Sequence, residues 1–128
     1  MKLEKLDDFQ HIYQHPKFQE EFERLVCERS TSGRYHKWLR KSLLLLDAMG
    51  HGALSLPGFE PLGLENKKMI SIRYPHSKKN PRVLIAFIEG ENVLLLCAFL
   101  ETSKKTNSDY QAAIAKAKNR FDELVGVN

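Results

Sequence analysis

The chain has 128 residues, with twenty basic and sixteen acidic side chains and five histidines, for a formal charge of +4 at neutral pH. That length fits one domain over 1–128, burying about two-thirds of its unfolded surface, and the ordinary apolar content excludes a disordered polymer. Apolar runs such as Leu43–Leu46 and Val93–Leu100 are too short to span a bilayer, and the opening residues lack a signal-peptide core, so a cytoplasmic protein is expected.

Charge is distributed unevenly. Residues 1–28 hold seven acids against four bases, whereas 29–88 hold eleven bases against only Asp47, Glu60 and Glu65. The acidic part, 1–33, reads as a helical segment that precedes the rest of the domain. Pro16 opens a helix in which Phe18, Phe22, Leu25 and Val26 share one face. Ser30-Thr31-Ser32-Gly33 interrupts it, and a second helix is predicted from Arg34 to Met49. Its stripe is Tyr35, Trp38, Leu39, Leu43, Leu46 and Met49, with Arg34, Lys37 and Lys41 opposite, and Gly50-His51-Gly52 ends it. The two helices form a hairpin. Trp38 reads as core.

From Pro57 the period changes to two. Ile70, Ile72 and Tyr74 alternate with Met69, Ser71 and Arg73, while Val83–Ile88 and Val93–Phe99 are apolar on both faces, as in covered strands. Glu89-Gly90-Glu91-Asn92 signals a hairpin with Gly90-Glu91 as a type II′ turn. That turn sets Ile88 opposite Val93 and Arg82 opposite Phe99. A last helix starts at Ser108, where Ser108 and Gln111 have capping-box spacing. Its inward stripe is Tyr110, Ile114, Ala117, Phe121 and Leu124, and Gly126 terminates it. The expected class is α+β: an N-terminal helical hairpin and a C-terminal helix packed on a small curved antiparallel sheet. Cys27 and Cys97, far apart in apolar patterns, read as buried free thiols.

Between Asn66 and Ile88 there is no acid, yet Lys67, Lys68, Arg73, Lys78, Lys79 and Arg82 lie there. Self-repulsion of that kind is relieved by a polyanion, and arginine forks match phosphate oxygens bidentately. Arg73 and Arg82 are therefore the candidate phosphate contacts, with Lys78 and Lys79 adding salt-sensitive affinity for RNA. The competing reading is a solvated sheet edge whose lysines discourage aggregation. RNA cleavage through the 2′-hydroxyl also needs proton transfer, for which His76 and Tyr110 are the candidates. A loop histidine and a core tyrosine are their plainer readings. Lys104 and Lys105, in a polar loop after the last strand, can close over the same place. His11 and His15 lack a zinc-site pattern, and neither a metal nor a cofactor is expected.

Residues 34–125 resemble the RelE/HigB-like toxin family of the RelE/ParE superfamily, particularly its phage-derived Gp49-like branch. The matching text is Phe59-Glu60-Pro61-Leu62, Ile70-Ser71-Ile72-Arg73, Pro81-Arg82-Val83-Leu84, Val93–Phe99, and Asp109-Tyr110 followed by Ala113, Ala117 and Arg120. The resemblance implies a toxin of a type II toxin–antitoxin system, held by an acidic antitoxin, that cleaves mRNA on the ribosome without metal. It places Arg73 and Arg82 at strand arginines that contact RNA, and Tyr110 where some members carry a functional tyrosine. Members commonly put Lys-Lys directly after the last strand's Phe-x; here Leu100-Glu101-Thr102-Ser103 comes first and Lys104-Lys105 follows late. The rival readings are a ParE-like, non-enzymatic inhibitor of DNA gyrase and a phage-derived binding protein without toxicity. The nuclease reading requires both guanidiniums at a shared anion pocket rather than locked into carboxylate pairs.

Overall fold

The computed structural model describes residues 3–26, 32–62, 69–75, 80–101 and 106–125. In chain order these form β1 (Glu4–Lys5), β2 (Ile12–Gln14), α1 (Phe18–Val26), α2 (Ser32–Met49), a 3-10 turn (Gly50–Ser55), β3 (Phe59–Pro61), β4 (Met69–Arg73), β5 (Asn80–Phe87), β6 (Val93–Glu101) and α3 (Thr106–Val125). The class is α+β, as expected. The six strands form one sheet in the order β1-β2-β6-β5-β4-β3.

The N-terminal reading needs correcting. Residues 1–33 are not purely helical, because β1 and β2 precede α1, and β2 pairs parallel to β6, making the sheet mixed. Two strands of two and three residues are too short to show alternation, so tertiary pairing decides them. Where β2 stops, the neighbouring edge of β6 is covered by side chains. Glu21 on α1 accepts the Ala98 N–H at 2.9 Å, and Arg120 on α3 donates to the Leu96 carbonyl at 2.7 Å. Arg120 also reaches both Glu21 oxygens, at 3.0 and 3.1 Å. This polar plug satisfies groups that a further strand would otherwise have to pair.

Helices cover both faces. Phe18, Phe22 and Val26 of α1 and Tyr35, Leu39, Leu43 and Leu46 of α2 pack with Ile70, Ile72, Val83, Ile85, Val93 and Leu95. Each fully buried side chain of this size contributes about 1.5–3 kcal/mol of transfer free energy. On the opposite face Met69, Leu84, Ala86, Leu94, Leu96 and Cys97 meet Ala113, Ile114 and Ala117 of α3. The expected stripes face the core, with Leu25, Trp38, Tyr110, Phe121 and Leu124 partly buried at their margins and Met49, 45% exposed, outside it. At the end of α2, Gly50 adopts φ +56°, and the Glu91 carboxylate occupies the space a β-carbon would need. That carboxylate accepts the His51 N–H at 2.8 Å, closing the helix end onto the β5–β6 turn.

The β5–β6 register contains a compensation. Gly90, with φ +63°, and Glu91 are the central turn residues, and the Asn92 N–H donates to the Glu89 carbonyl at 3.1 Å. However, the Ile88 N–H bonds to Asn92 at 2.8 Å, so Phe87, not Ile88, stands opposite Val93. A bulge then leaves Leu96 between the Ile85–Leu95 and Leu84–Cys97 pairs. The two irregularities cancel, and Arg82 does pair with Phe99. The bulge also turns Cys97, Phe99 and Glu101 onto the α3 side.

Cys97 is buried and free, and burial pushes its thiol up to about 12, so it is an inert packing residue. Cys27, the Ser30–Thr31 part of the interruption and Gly126 lie outside the described residues, as do the side chains of Ser108 and Asp109. Helix α3 starts at Thr106, two positions before Ser108. No helix among the described residues is long and apolar enough to cross a membrane.

Candidate functional site

Strand pairing assembles one polar cluster at the end of the α3-covered face. Arg73 on β4 is directly opposite Arg82 on β5, and Glu60 on β3 is opposite Ser71 on β4. Directly paired residues share a face, and Arg73 and Ser71 are two apart on one strand, so all four project the same way. The bulge adds Glu101, and Tyr110 descends from α3. The expected convergence of Arg73 and Arg82 is therefore present.

Their environments differ sharply. Arg82 is only 5% exposed. Its Nε and Nη2 donate to Glu101 Oε1 at 2.8 and 2.6 Å, while Nη1 donates to Glu60 Oε1 at 3.1 Å and approaches Ser71 Oγ at 3.4 Å. Every guanidinium nitrogen thus has an acceptor inside the protein. The guanidinium carbon also lies 4.9 Å from the centroid of the Tyr110 ring, a cation–π contact of about 1–2 kcal/mol when desolvated. A buried ion pair of this kind roughly breaks even against its desolvation cost, so its main effect is to fix geometry.

Arg73 is nearly half exposed, and its Nε is 3.9 Å from Glu60 Oε1, a long contact that leaves the fork largely open. Two guanidiniums face two carboxylates here. Among the described residues, the two cations and two anions of the cluster balance.

Tyr110 is half-buried, with its hydroxyl 3.2 Å from Ser71 Oγ and its ring 5.3 Å from that of Phe99. Burial raises its pKa above the ordinary value, partly offset by the Ser71 hydrogen bond and the Arg82 charge. The phenol is a hydrogen-bond donor at neutral pH and a poor base. Thus the packing role and a polar role coexist in one side chain.

The sequence-predicted residues His76, Lys78, Lys79, Lys104 and Lys105 lie outside the described residues, as do Lys67 and Lys68. Sequence reasoning missed the acids. Glu101 follows the predicted Arg82–Phe99 pair by two positions and so belongs on Arg82's face, a signal that was available. Glu60, one of three acids in the basic middle segment, was a second.

Residues 34–122 match the family described as phage derived protein Gp49-like (DUF891). The chain belongs to the Gp49-like family. That family stands among the RelE/HigB-like toxins, whose members are often the toxins of toxin–antitoxin systems and so pair with an antitoxin. No curated protein matches the chain. The match covers α2, all of β3–β6 and most of α3, so every residue of the Arg73–Arg82 cluster lies inside the Gp49-like region.

Proposed function

We propose that this Gp49-like chain is the toxin of a type II toxin–antitoxin pair, and that it acts by binding its target rather than by cleaving RNA with Arg73 and Arg82. The observation that carries this reading is the enclosure of Arg82 by Glu101 and Glu60. A guanidinium that stabilises a phosphorane must meet the developing charge with free donors. Arg82 would first have to break three charge-assisted contacts and then leave two carboxylates facing a phosphate. Relatives of the resemblance place lysine after the last strand's Phe-x, where this chain has Glu101. That exchange reverses the sign of charge beside Arg82. Binding of a protein target needs no proton-transfer group, in keeping with the ParE-like alternative.

The ribosome-dependent endoribonuclease remains a second reading, favoured by the direct pairing of Arg73 with Arg82 and by the exposed Arg73 fork. In that mechanism Arg73, with Lys78, Lys79, Lys104 and Lys105, holds the RNA backbone, and His76 or Tyr110 moves the proton. Inducing the chain in growing cells and mapping mRNA ends in a translating extract separates the two. The binding reading expects growth arrest without codon-phased cuts. Cuts that disappear with Arg82→Ala establish the nuclease, and no arrest at all removes the toxin reading.

A further inference from the structure

The exposed large hydrophobic side chains among the described residues, Leu44 at 47% and Met49 at 45%, both lie on α2. Three exposed cations, Arg34, Lys37 and Lys41, precede them on the same helix. At about 3.6 residues per turn these five side chains fall within about 140° of the helix circumference, and Trp38 and Leu45 fall in the same arc. The opposite arc carries Tyr35, Leu39, Leu43 and Leu46 into the core. No acid interrupts the outer face. The one carboxylate of α2, Asp47, projects outside that arc and accepts the Gln10 and His11 N–H groups at 3.1 and 2.7 Å. The flanking His36 is held by Glu23 and Arg40 by Asp8, whereas Arg34, Lys37 and Lys41 have no ion-pair partner among the described residues. Arg34 also sits in a first turn that contains no acid, where the helix dipole disfavours a cation. Half-buried Trp38 and Leu45 open onto a groove of about 480 Å³ that Leu56 and Pro57 also line, which widens the apolar area.

We infer that this face of α2 docks the protein on an anionic phospholipid surface. Arg34, Lys37 and Lys41 meet headgroup phosphates, while Leu44, Met49 and the exposed edge of Trp38 enter the boundary with the acyl chains. The cations occupy the N-terminal half of the ridge and the aliphatics the C-terminal half, so one flat surface of mixed chemistry satisfies both. Long lysine stems let the charges reach the headgroups while the helix lies along the interface. A nucleic-acid strand would engage the cations and leave Leu44 and Met49 in water. A second copy of the chain would cover those aliphatics but set like charges against each other, because the face offers no carboxylate. Docking of this kind needs no spanning segment, in keeping with the absence of a membrane-crossing helix among the described residues. It is independent of the toxin reading.

The test mixes the full chain with vesicles of phosphatidylcholine alone or with about 30% phosphatidylglycerol, and follows flotation. Trp38 is the chain's one tryptophan, so its emission reports on this face directly. The expected result is flotation with the anionic vesicles at low salt and little with the neutral ones. Trp38 emission should shift to the blue and be quenched by brominated acyl chains. The double substitution Lys37→Gln with Lys41→Gln should weaken binding more than tenfold, and Leu44→Ser about fivefold, while circular dichroism shows both variants folded. No flotation with anionic vesicles overturns the proposal, as does flotation that leaves Trp38 emission unchanged or equal binding by the folded variants. A short RNA that needs Lys37 and Lys41, ignores Leu44→Ser and is not displaced by anionic vesicles would assign the face to nucleic acid instead. Vesicle binding and growth arrest are separate readouts, so failure of either idea leaves the other standing.

Discussion

Arg82 and Glu101 lie on adjacent strands with two guanidinium nitrogens, Nε and Nη2, directed at one carboxylate oxygen, at 2.8 and 2.6 Å. Both side chains are buried, at 6% and 11% exposure. The pairing exists because the Leu96 bulge turns Glu101 onto Arg82's face. One extra residue in β6 therefore decides whether the strand arginine is free for a ligand or committed inside the protein.

Removing the acid should be costly. Glu101→Ala leaves Arg82 with Glu60 alone, and loss of one partner from a buried pair costs about 3 kcal/mol. A urea midpoint lowered without a change of slope is the expected readout. The same variant should bind a short RNA more tightly at low salt, because a donor fork has been released. Unchanged affinity would mean that Glu101 does not restrain Arg82.

Tyr110 links that pair to α3. Tyr110→Phe keeps the ring over Arg82 but removes the hydroxyl facing Ser71, with an expected loss of about 1 kcal/mol. Its phenol should ionise above the ordinary 10 in an absorbance titration compared between the native chain and the variant. Because the folded pKa is raised, its contribution is full below pH 10 and is lost as pH rises through the folded value.

Glu21 binds three elements together. It accepts from Ala98 on β6 and from Arg120 and Lys116 on α3. Burial raises its pKa, but those hydrogen bonds outweigh it and hold the carboxyl below the ordinary 4.5. The resulting stability is present above pH 4.5 and lost as pH falls through the folded value. Glu21→Ala should cost about 3 kcal/mol, leave Arg120 with the Leu96 carbonyl but without its carboxylate partner, and flatten that acid limb in thermal melts.

His15 supplies a second acid-sensitive group at higher pH. It is 1% exposed; Nδ1 accepts the Lys17 N–H at 3.1 Å, and Nε2 has no partner among the described residues. Burial, aided by Arg120, lowers its pKa below the ordinary 6.5. Stability should therefore be full above pH 6.5 and decline as pH falls below it. His15→Asn retains an acceptor for the Lys17 N–H, and its melting temperature should depend less on pH between about 7 and 5. Equal pH dependence in both proteins would contradict this assignment.

Helices α1, α2 and α3 were legible because their apolar stripes repeat over several turns, and β4–β6 because β-branched and aliphatic residues run between turn signals. The two N-terminal strands were hidden, since so few residues carry no period; β2 is set by its pairing with β6, and β1 by its pairing with β2. The Arg82–Phe99 register was predicted through a straight ladder, yet it arises from two irregularities at Ile88–Glu89 and Leu96 that offset each other. For the site, the convergence of Arg73 and Arg82 followed from strand order. The ionic state of Arg82 did not, because a basic run suggests surplus charge while Glu60 and Glu101, distant in sequence, return to cancel it. Likewise Trp38 looked like core from helical spacing, although the adjoining β3–β4 edge leaves it lining a groove.

The most direct measurement is an NMR titration of arginine Nε–H resonances with a 12-nucleotide RNA at low salt. Arg73 should shift in proportion to added RNA, while the Arg82 resonance stays protected and unmoved beside Glu101. A saturable shift at Arg82 matching that of Arg73 would show that its carboxylate partners yield to phosphate, and would contradict the account.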